Sequence, residues 1–339
     1  MSTPLASKPR VLSGVQPTGL LHLGNYLGAV AQWVKNQDKY DNFFCVVDLH
    51  AFTIPESQVL KQLHQESLEM AALLLACGID PDKSTLFLQS AVPQHPFLGW
   101  LLTCMTPLGW LERMTQFKAK ALERESVSSG LLAYPVLQAA DILLYQADFV
   151  PVGEDQLQHL ELTRDIVARC SHLFGIKLNS PQPMVSHVGA KIMGLDNPTV
   201  KMSKSIGLNN KKHMIGLLDS PRQIEATLSS AVTDSGQEFR PNHASAGVIN
   251  LMNIYMGLSG DSPNQSQQLF SGKGYGFLKK KVAEVIITTL SPIQQRYHNI
   301  SGDKTYLNQV LAQGAEKARL VATKTLYPIT KALGIECPF

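Results

Sequence analysis

A chain of 339 residues fits two domains better than one, and 44% hydrophobic content is ample for real cores. No apolar run reaches the ~18 residues a membrane-spanning helix needs, so no membrane partner is expected. The net charge of +3 is too small to select a partner, although the basic excess lies in residues 206–339.

Five unpatterned cysteines (Cys45, Cys77, Cys104, Cys170 and Cys337) without a CxxC pair predict reduced thiols and a cytoplasmic location. Met1 to Arg10 is short and polar, so no secretory signal is expected. His159 with Glu161, and Cys170 with His172, read as ordinary helix residues rather than metal ligands, and no metal site is predicted.

Val11-Leu12 reads as a first strand and Tyr26 to Trp33 as a helix. Between them, Ser13-Gly14-Val15-Gln16-Pro17-Thr18-Gly19 and Leu20 to Asn25 form a glycine-bearing connection. A helix starting near Leu21 to Gly24 would turn unpaired N–H groups toward an anion. His22 and Asn25, three residues apart, would both face it. The plainer alternative is an ordinary tight turn.

Further along, Phe43 to Val47 is a strand of buried type, and Ser57 to Cys77 a helix that Gly78 ends. Thr85 to Gln89 is a strand and Phe97 to Phe117 one long helix. Pro135 opens a helix continuing over Val136 to Tyr145. Phe149 to Val152 is a strand, and Leu157 to Phe174 a helix. This alternation predicts a doubly wound parallel sheet with its ligand at the carboxyl ends of the strands.

Lys177 to Pro198 reads as the exit from that domain. Helices follow at Pro221 to Ala231, Ala246 to Leu258, Leu278 to Tyr297 and Tyr306 to Leu326. Gly272 to Gly276 resembles a phosphate loop but follows no strand, so it reads as a turn. Lys279-Lys280-Lys281 is either a nucleic-acid contact or a solvated helical face.

Lys201-Met202-Ser203-Lys204-Ser205 places two ammonium groups on one loop, which suits a triphosphate whose charge is redistributed as a bond breaks. The five residues reproduce the KMSKS signature of class I aminoacyl-tRNA synthetases, and Pro17 to Asn25 resembles the partner HIGH signature in an HLGN form. Gly14 to Gly19, Arg113 to Lys118, Val150 to Gln156 (with its GEDQ segment) and Ala231 to Ser235 narrow the resemblance to the tryptophanyl-tRNA synthetases.

That resemblance implies a Rossmann-like catalytic domain over 1–205 and a smaller all-helical, anticodon-binding domain over 206–290. Residues 291–339 would pack back on the catalytic domain. It also implies a homodimer, and tRNA(Trp), L-tryptophan and ATP with Mg²⁺ as partners. Gln16, Pro17, Thr18, Gly24 and Asn25 match ATP-holding positions, and Gly153, Glu154 and Asp155 match those meeting the ribose. Ile192 matches an adenine contact, and Lys201, Met202, Ser203, Lys204 and Ser205 match the triphosphate loop. His22, Asn25, Lys201 and Lys204 are the expected catalytic set, and Lys120 a further triphosphate contact.

Asp141 lies in an apolar helix and is the expected partner of the indole N–H, which donates and cannot accept. The alternative is an Asp paired to a neighbouring side chain. Many bacterial tryptophan enzymes have Met three residues earlier, where this chain has Gln138. Tyr134, Gln138 and Asp141 reproduce a spacing of the tyrosine enzyme, which is the alternative substrate reading. A small-molecule nucleotidyltransferase and a non-catalytic amino-acid- or RNA-binding relative are the rivals from other classes. The first explains neither the helical half nor the KMSKS loop, and the second does not explain intact signature lysines.

Overall fold

Alternation along each strand decides the layers. In Asp41–Val46, Phe44 and Val46 enter one apolar cluster while Phe43 and Cys45 enter another, so the sheet is covered on both faces. The computed structural model describes residues 8–19, 21–53, 61–122, 126–184, 192–234, 236, 244–337 and 339.

Five strands, β1 (Arg10–Val15), β2 (Asp41–Val46), β3 (Ser84–Leu88), β4 (Phe149–Pro151) and β5 (Gln182–Met184), form one sheet in the order β3-β2-β1-β4-β5. All four pairings are parallel. This is the expected doubly wound, Rossmann-like arrangement, with its order reversing between β1 and β4.

The helix α1 covers residues 23–35, through Leu23–Asn25, a π-helical stretch at Tyr26–Val30 and Ala31–Lys35. Then come α2 (Leu63–Cys77), α3 (Gln94–Met105), α4 (Leu108–Glu112), α5 (Thr115–Leu122), α6 (Ser129–Leu144) and α7 (Leu157–Phe174). The back of the chain adds α8 (Lys204–Asn209), α9 (Pro221–Ser229), α10 (Ala246–Ser259), α11 (Pro263–Phe270), α12 (Tyr275–Gly302) and α13 (Lys304–Ala332).

Three expectations change. The single helix over Phe97 to Phe117 is broken into α3, α4 and the start of α5. Pro107 forbids helical backbone at Thr106, which is extended at φ −89° and ψ 122°. Secondly, α6 starts before Pro135, because Ser128 Oγ accepts the Leu131 N–H and caps it there. Pro135 is therefore an interior residue. Thirdly, β5, α8 and α11 were not expected. The predicted helix residues Ser57 to Leu60 lie outside the described residues, as do Leu20 and Ser235; α2 is observed from Leu63 to the left-handed Gly78.

On one face α2 packs on the sheet, α12 packs on α2, and α9 and α10 pack on α12, so buried residues from Leu21 to Leu311 share one core that also takes in α1. The other face packs on α3, α6, α7 and the second half of α13. Both α13 and the edge strand β3 run together, so the helix covers the edge that would otherwise invite pairing with another chain. Gly314 permits this: a Cβ there would stand 1.8 Å from the Leu86 carbonyl oxygen. Replacing Gly314 by Ala is expected to destabilise the fold by about 3 kcal/mol, since backbone rather than a flexible side chain must move. A lowered melting temperature checks this, and an unchanged one refutes the close packing.

Candidate active site at the carboxyl ends of the strands

The carboxyl ends of β1 to β4 are followed by polar groups. Past β1, Gln16 is exposed, Pro17 is buried, and Thr18 and Gly19 are half-buried, with Gly19 at φ +73°. The Lys204 ammonium donates to the carbonyl oxygens of Thr18 and Gly19, the latter at 2.6 Å. The two signature segments, 185 residues apart, are thus joined directly. Burial lowers the Lys204 pKa to about 8, against an opposing pull from Glu66.

His22 caps α1. Its Nδ1 accepts the Asn25 N–H at 3.3 Å, while Asn25 Oδ1 accepts the His22 N–H at 3.2 Å. The Leu23 N–H bonds to the Ile215 carbonyl. The expectation of free N–H groups at this helix start is therefore corrected: the Asn25 N–H is taken by the His22 side chain and the Leu23 N–H by the Ile215 carbonyl. His22 Nε2 and Asn25 Nδ2 are the atoms the cap leaves over. Burial, and then the charges of Lys204 and Lys201, lower the His22 pKa to about 4, so the ring is neutral at neutral pH.

In the Lys201 to Ser205 segment, Lys201 and Ser205 are exposed and Met202 is buried. The Met202 N–H bonds to the Ile192 carbonyl at 3.0 Å, and Gly24 faces Ile192 across the seam. Ser203 Oγ is buried with no hydrogen-bond partner among the described residues. Thr18, Gly19, Gly24, Ile192, Met202 and Lys204 are thus brought together.

Gly153, Glu154 and Asp155 lie across the switch point. They are exposed, directly after β4, and form the turn that leads into α7. Asp155 Oδ2 accepts from Gln156 Nε2 at 2.9 Å. Nearby, Tyr134 Oη is 2.8 Å from His159 Nε2, and the Lys120 ammonium stands 5.2 Å over the Tyr134 ring. Burial pushes Tyr134 up to about 12 and His159 down to about 4, with Lys120 adding to the latter.

The Asp141 carboxylate is buried in a satisfied network. His95 Nδ1 and Gln89 Nε2 donate to Oδ1 at 2.6 and 2.7 Å, and His50 Nε2 donates to Oδ2 at 2.8 Å. Burial alone would raise its pKa, but the hydrogen bonds and charges of His50 and His95 hold it well below the usual carboxylate range. The structure therefore realises the paired alternative, and a carboxylate's fourth acceptor position, on Oδ2, is what remains. His50, Gln89 and His95 escaped sequence reading. Gln89 and His50 could have been found as polar side chains just past apolar strands.

The family model of class I tRNA synthetases for W and Y matches residues 5–291. The chain is 50% identical to the tryptophan–tRNA ligases of Wolinella succinogenes and Helicobacter pylori over 329 residues, 97% of this chain and 99% of each relative. The chain belongs to the tryptophanyl-tRNA synthetase family. Among solved structures, the Campylobacter jejuni tryptophanyl-tRNA synthetase complexed with ADP and tryptophan aligns with TM-score 0.84 at 35% identity, over 96% of this chain and 100% of that one. An Archaeoglobus fulgidus tyrosyl-tRNA synthetase, at 19% identity and TM-score 0.67, shares the fold alone. A substrate reading for a tryptophanyl-tRNA synthetase thus outweighs the tyrosine spacing of Tyr134, Gln138 and Asp141.

His22 and His159 dictate acid behaviour. Each is held neutral in the fold, with a pKa of about 4 against 6.5 for an ordinary histidine. In between, the unfolded chain binds more protons, so the stability they confer is complete above pH 6.5 and lost as pH falls toward 4. The melting temperature is expected to drop across that window, and substituting His22 or His159 by Gln to flatten the drop.

Proposed function

We propose that this chain activates L-tryptophan with ATP, giving tryptophanyl-adenylate and pyrophosphate, and then charges tRNA(Trp). The observation that carries the reading is the Lys204 bridge between the HLGN and KMSKS segments at the switch point, in a chain half identical to tryptophan–tRNA ligases over nearly its whole length. In the first step the tryptophan carboxylate attacks the α-phosphorus in line, the bond to the bridging oxygen breaks, and pyrophosphate leaves with the electron pair. A carboxylate needs no general base, so positioning and charge stabilisation supply the catalysis.

Lys201 and Lys204 stabilise the pyrophosphate, and the unpartnered Ser203 hydroxyl suits a phosphate oxygen. His22 Nε2, Asn25 Nδ2 and the backbone of Gln16, Pro17, Thr18 and Gly24 hold ATP, with Met202 and Ser205 framing the loop. Gly153, Glu154 and Asp155 accept from ribose hydroxyls, and Ile192 adjoins the adenine. No cluster of three or more His, Cys, Asp or Glu able to hold a metal occurs among the described residues, and the phosphate side is cationic. Mg²⁺ accordingly enters as part of the Mg–ATP substrate, on phosphate oxygens and water. In the second step a terminal ribose hydroxyl of tRNA, the 2′-hydroxyl on the class I resemblance, takes the aminoacyl group.

In this reading residues 1–205 carry ATP and tryptophan, 206–290 meet the anticodon, and 291–339 pack back on the sheet. The protein acts in the cytoplasm as a homodimer, which would give cover to exposed apolar side chains such as Trp100 and Leu108. No described helix is long and apolar enough to cross a membrane.

Amino-acid-dependent exchange of pyrophosphate into ATP is expected with tryptophan and not with tyrosine; the reverse overturns the substrate. Lys204→Ala is expected to slow exchange at least about 100-fold, as loss of a charged transition-state contact does. In the wild type, kcat/KM for ATP should fall as pH rises through about 8, where Lys204 loses its proton, and Lys204→Arg should move that fall upward.

Asp141→Asn is expected to raise KM for tryptophan while leaving that for ATP unchanged. It also lowers the melting temperature, because an amide N–H must face the donors of His50, His95 or Gln89. A lowered melting temperature with unchanged KM for tryptophan would make Asp141 a purely structural anchor.

A further inference from the structure

The KMSKS segment hangs on two successive backbone N–H groups. Met202 N–H is held by the Ile192 carbonyl, and Ser203 N–H points to His213 Nε2 at 3.2 Å. The two lysines flank this double anchor. His213 is 1% exposed and belongs to no signature.

We propose that His213, oriented by Asp196, is a positioning residue for the KMSKS lysines. To accept the Ser203 N–H, Nε2 must carry a lone pair, so the ring proton must sit on Nδ1. Asp196 Oδ1 selects that tautomer by accepting from Nδ1 at 2.6 Å, and Asn210 Nδ2 fixes the carboxylate by donating to Oδ2 at 2.6 Å. The opposite tautomer would turn an Nε2–H toward the Lys201 carbonyl, 3.3 Å away, and leave the Ser203 N–H without its acceptor. The ring thus holds the peptide of Ser203 in one state and pulls on the peptide of Lys201 in the other.

Space is reserved for this ring. A Cβ on Gly194 would stand 2.3 Å from His213 Cε1 and 2.5 Å from Nδ1, so the imidazole occupies the place of a side chain. The backbone of His213 is pinned as well: its carbonyl accepts the Leu195 N–H at 3.0 Å, and its N–H donates to the Asn210 carbonyl at 2.9 Å. The start of α8 depends on this contact, because Ser203, its N-cap residue, makes no side-chain capping bond. A ring held on three sides therefore sets where Lys201 and Lys204 stand.

The inference rests on the proposed role of these lysines toward ATP, and its test separates the two. In His213→Asn the amide takes the place of Nδ1 and cannot reach Ser203; in His213→Gln it reaches the place of Nε2 and its oxygen accepts the N–H. Pyrophosphate exchange on the full chain should show KM for ATP raised about tenfold in the Asn variant, the effect of one hydrogen bond. KM for tryptophan should stay unmoved, and the Gln variant should return to near wild type. ¹⁵N NMR of the His213 ring should show Nδ1 protonated and Nε2 bare. A ring protonated on Nε2 overturns the proposal whatever the kinetics. So do Asn and Gln variants that lose activity equally and in step with their melting temperatures. If Lys204→Ala impairs exchange while both His213 variants match wild type, this inference alone fails; if Lys204→Ala changes nothing, the phosphate reading fails and the NMR result still decides the ring's state.

Discussion

One buried carboxylate organises the cleft. Asp141 collects donors from just past β2 (His50), just past β3 (Gln89) and the start of α3 (His95), so a single charge on α6 ties two strand ends to two helices. Removing one partner of a buried charge costs about 3–5 kcal/mol, because the charge is left uncompensated. The network extends outward: His95 Nε2 lies 2.8 Å from the Tyr145 hydroxyl, and Gln89 Oε1 accepts the Leu49 N–H. An ionised Asp141 can only accept, which fixes His50 as a donor through Nε2 and His95 through Nδ1. The base of the site is therefore anionic and polar, within an apolar surround of Leu143, Leu144 and Val136.

The opposite wall has the other sign. Lys201 and Lys204 stand beside a His22 whose burial and cationic neighbours keep it uncharged. That neutrality matters to the cap: Nδ1 can accept the Asn25 N–H only while it carries a lone pair. Protonating His22 would break the α1 start and add a third cation to the pair, so the same environment that lowers its pKa preserves its structural role. On the proposed function, the Asp141 carboxylate would face an indole N–H donor and the ammonium groups a triphosphate.

Strand–helix order was legible because apolar runs at strand spacing and helical faces obey local periodicity. Leu157–Phe174 is bounded as the sequence suggests, since a left-handed Gly175 closes it. The break at Pro107 and the start at Ser128 were not foreseen: a long apolar stretch masks the effect of Pro107 on Thr106, and Pro135 stands out more than the serine that caps. The signature lysines were readable from their motif. His50, Gln89, His95, Asp196 and His213 were not, because each acquires meaning from a partner far along the chain. Gly194 and Gly314 are of the same kind, since only the folded chain shows what a Cβ would strike.

If Lys204 acts on pyrophosphate as proposed, its state accounts for how such a loop would favour a transition state over a ground state. Its ammonium has already shed water to sit on two carbonyl oxygens, which lowers its pKa to about 8. Carbonyls are dipoles, whereas pyrophosphate oxygens carry formal charge, so moving from one set to the other strengthens the interaction without a second desolvation. That gain grows as the bond to the α-phosphorus breaks and negative charge accumulates on the departing oxygens. A fully solvated lysine would have to lose its water at that moment. On the proposed function, partial burial against Thr18 and Gly19 would make the charge available to the leaving group where the two signature segments meet.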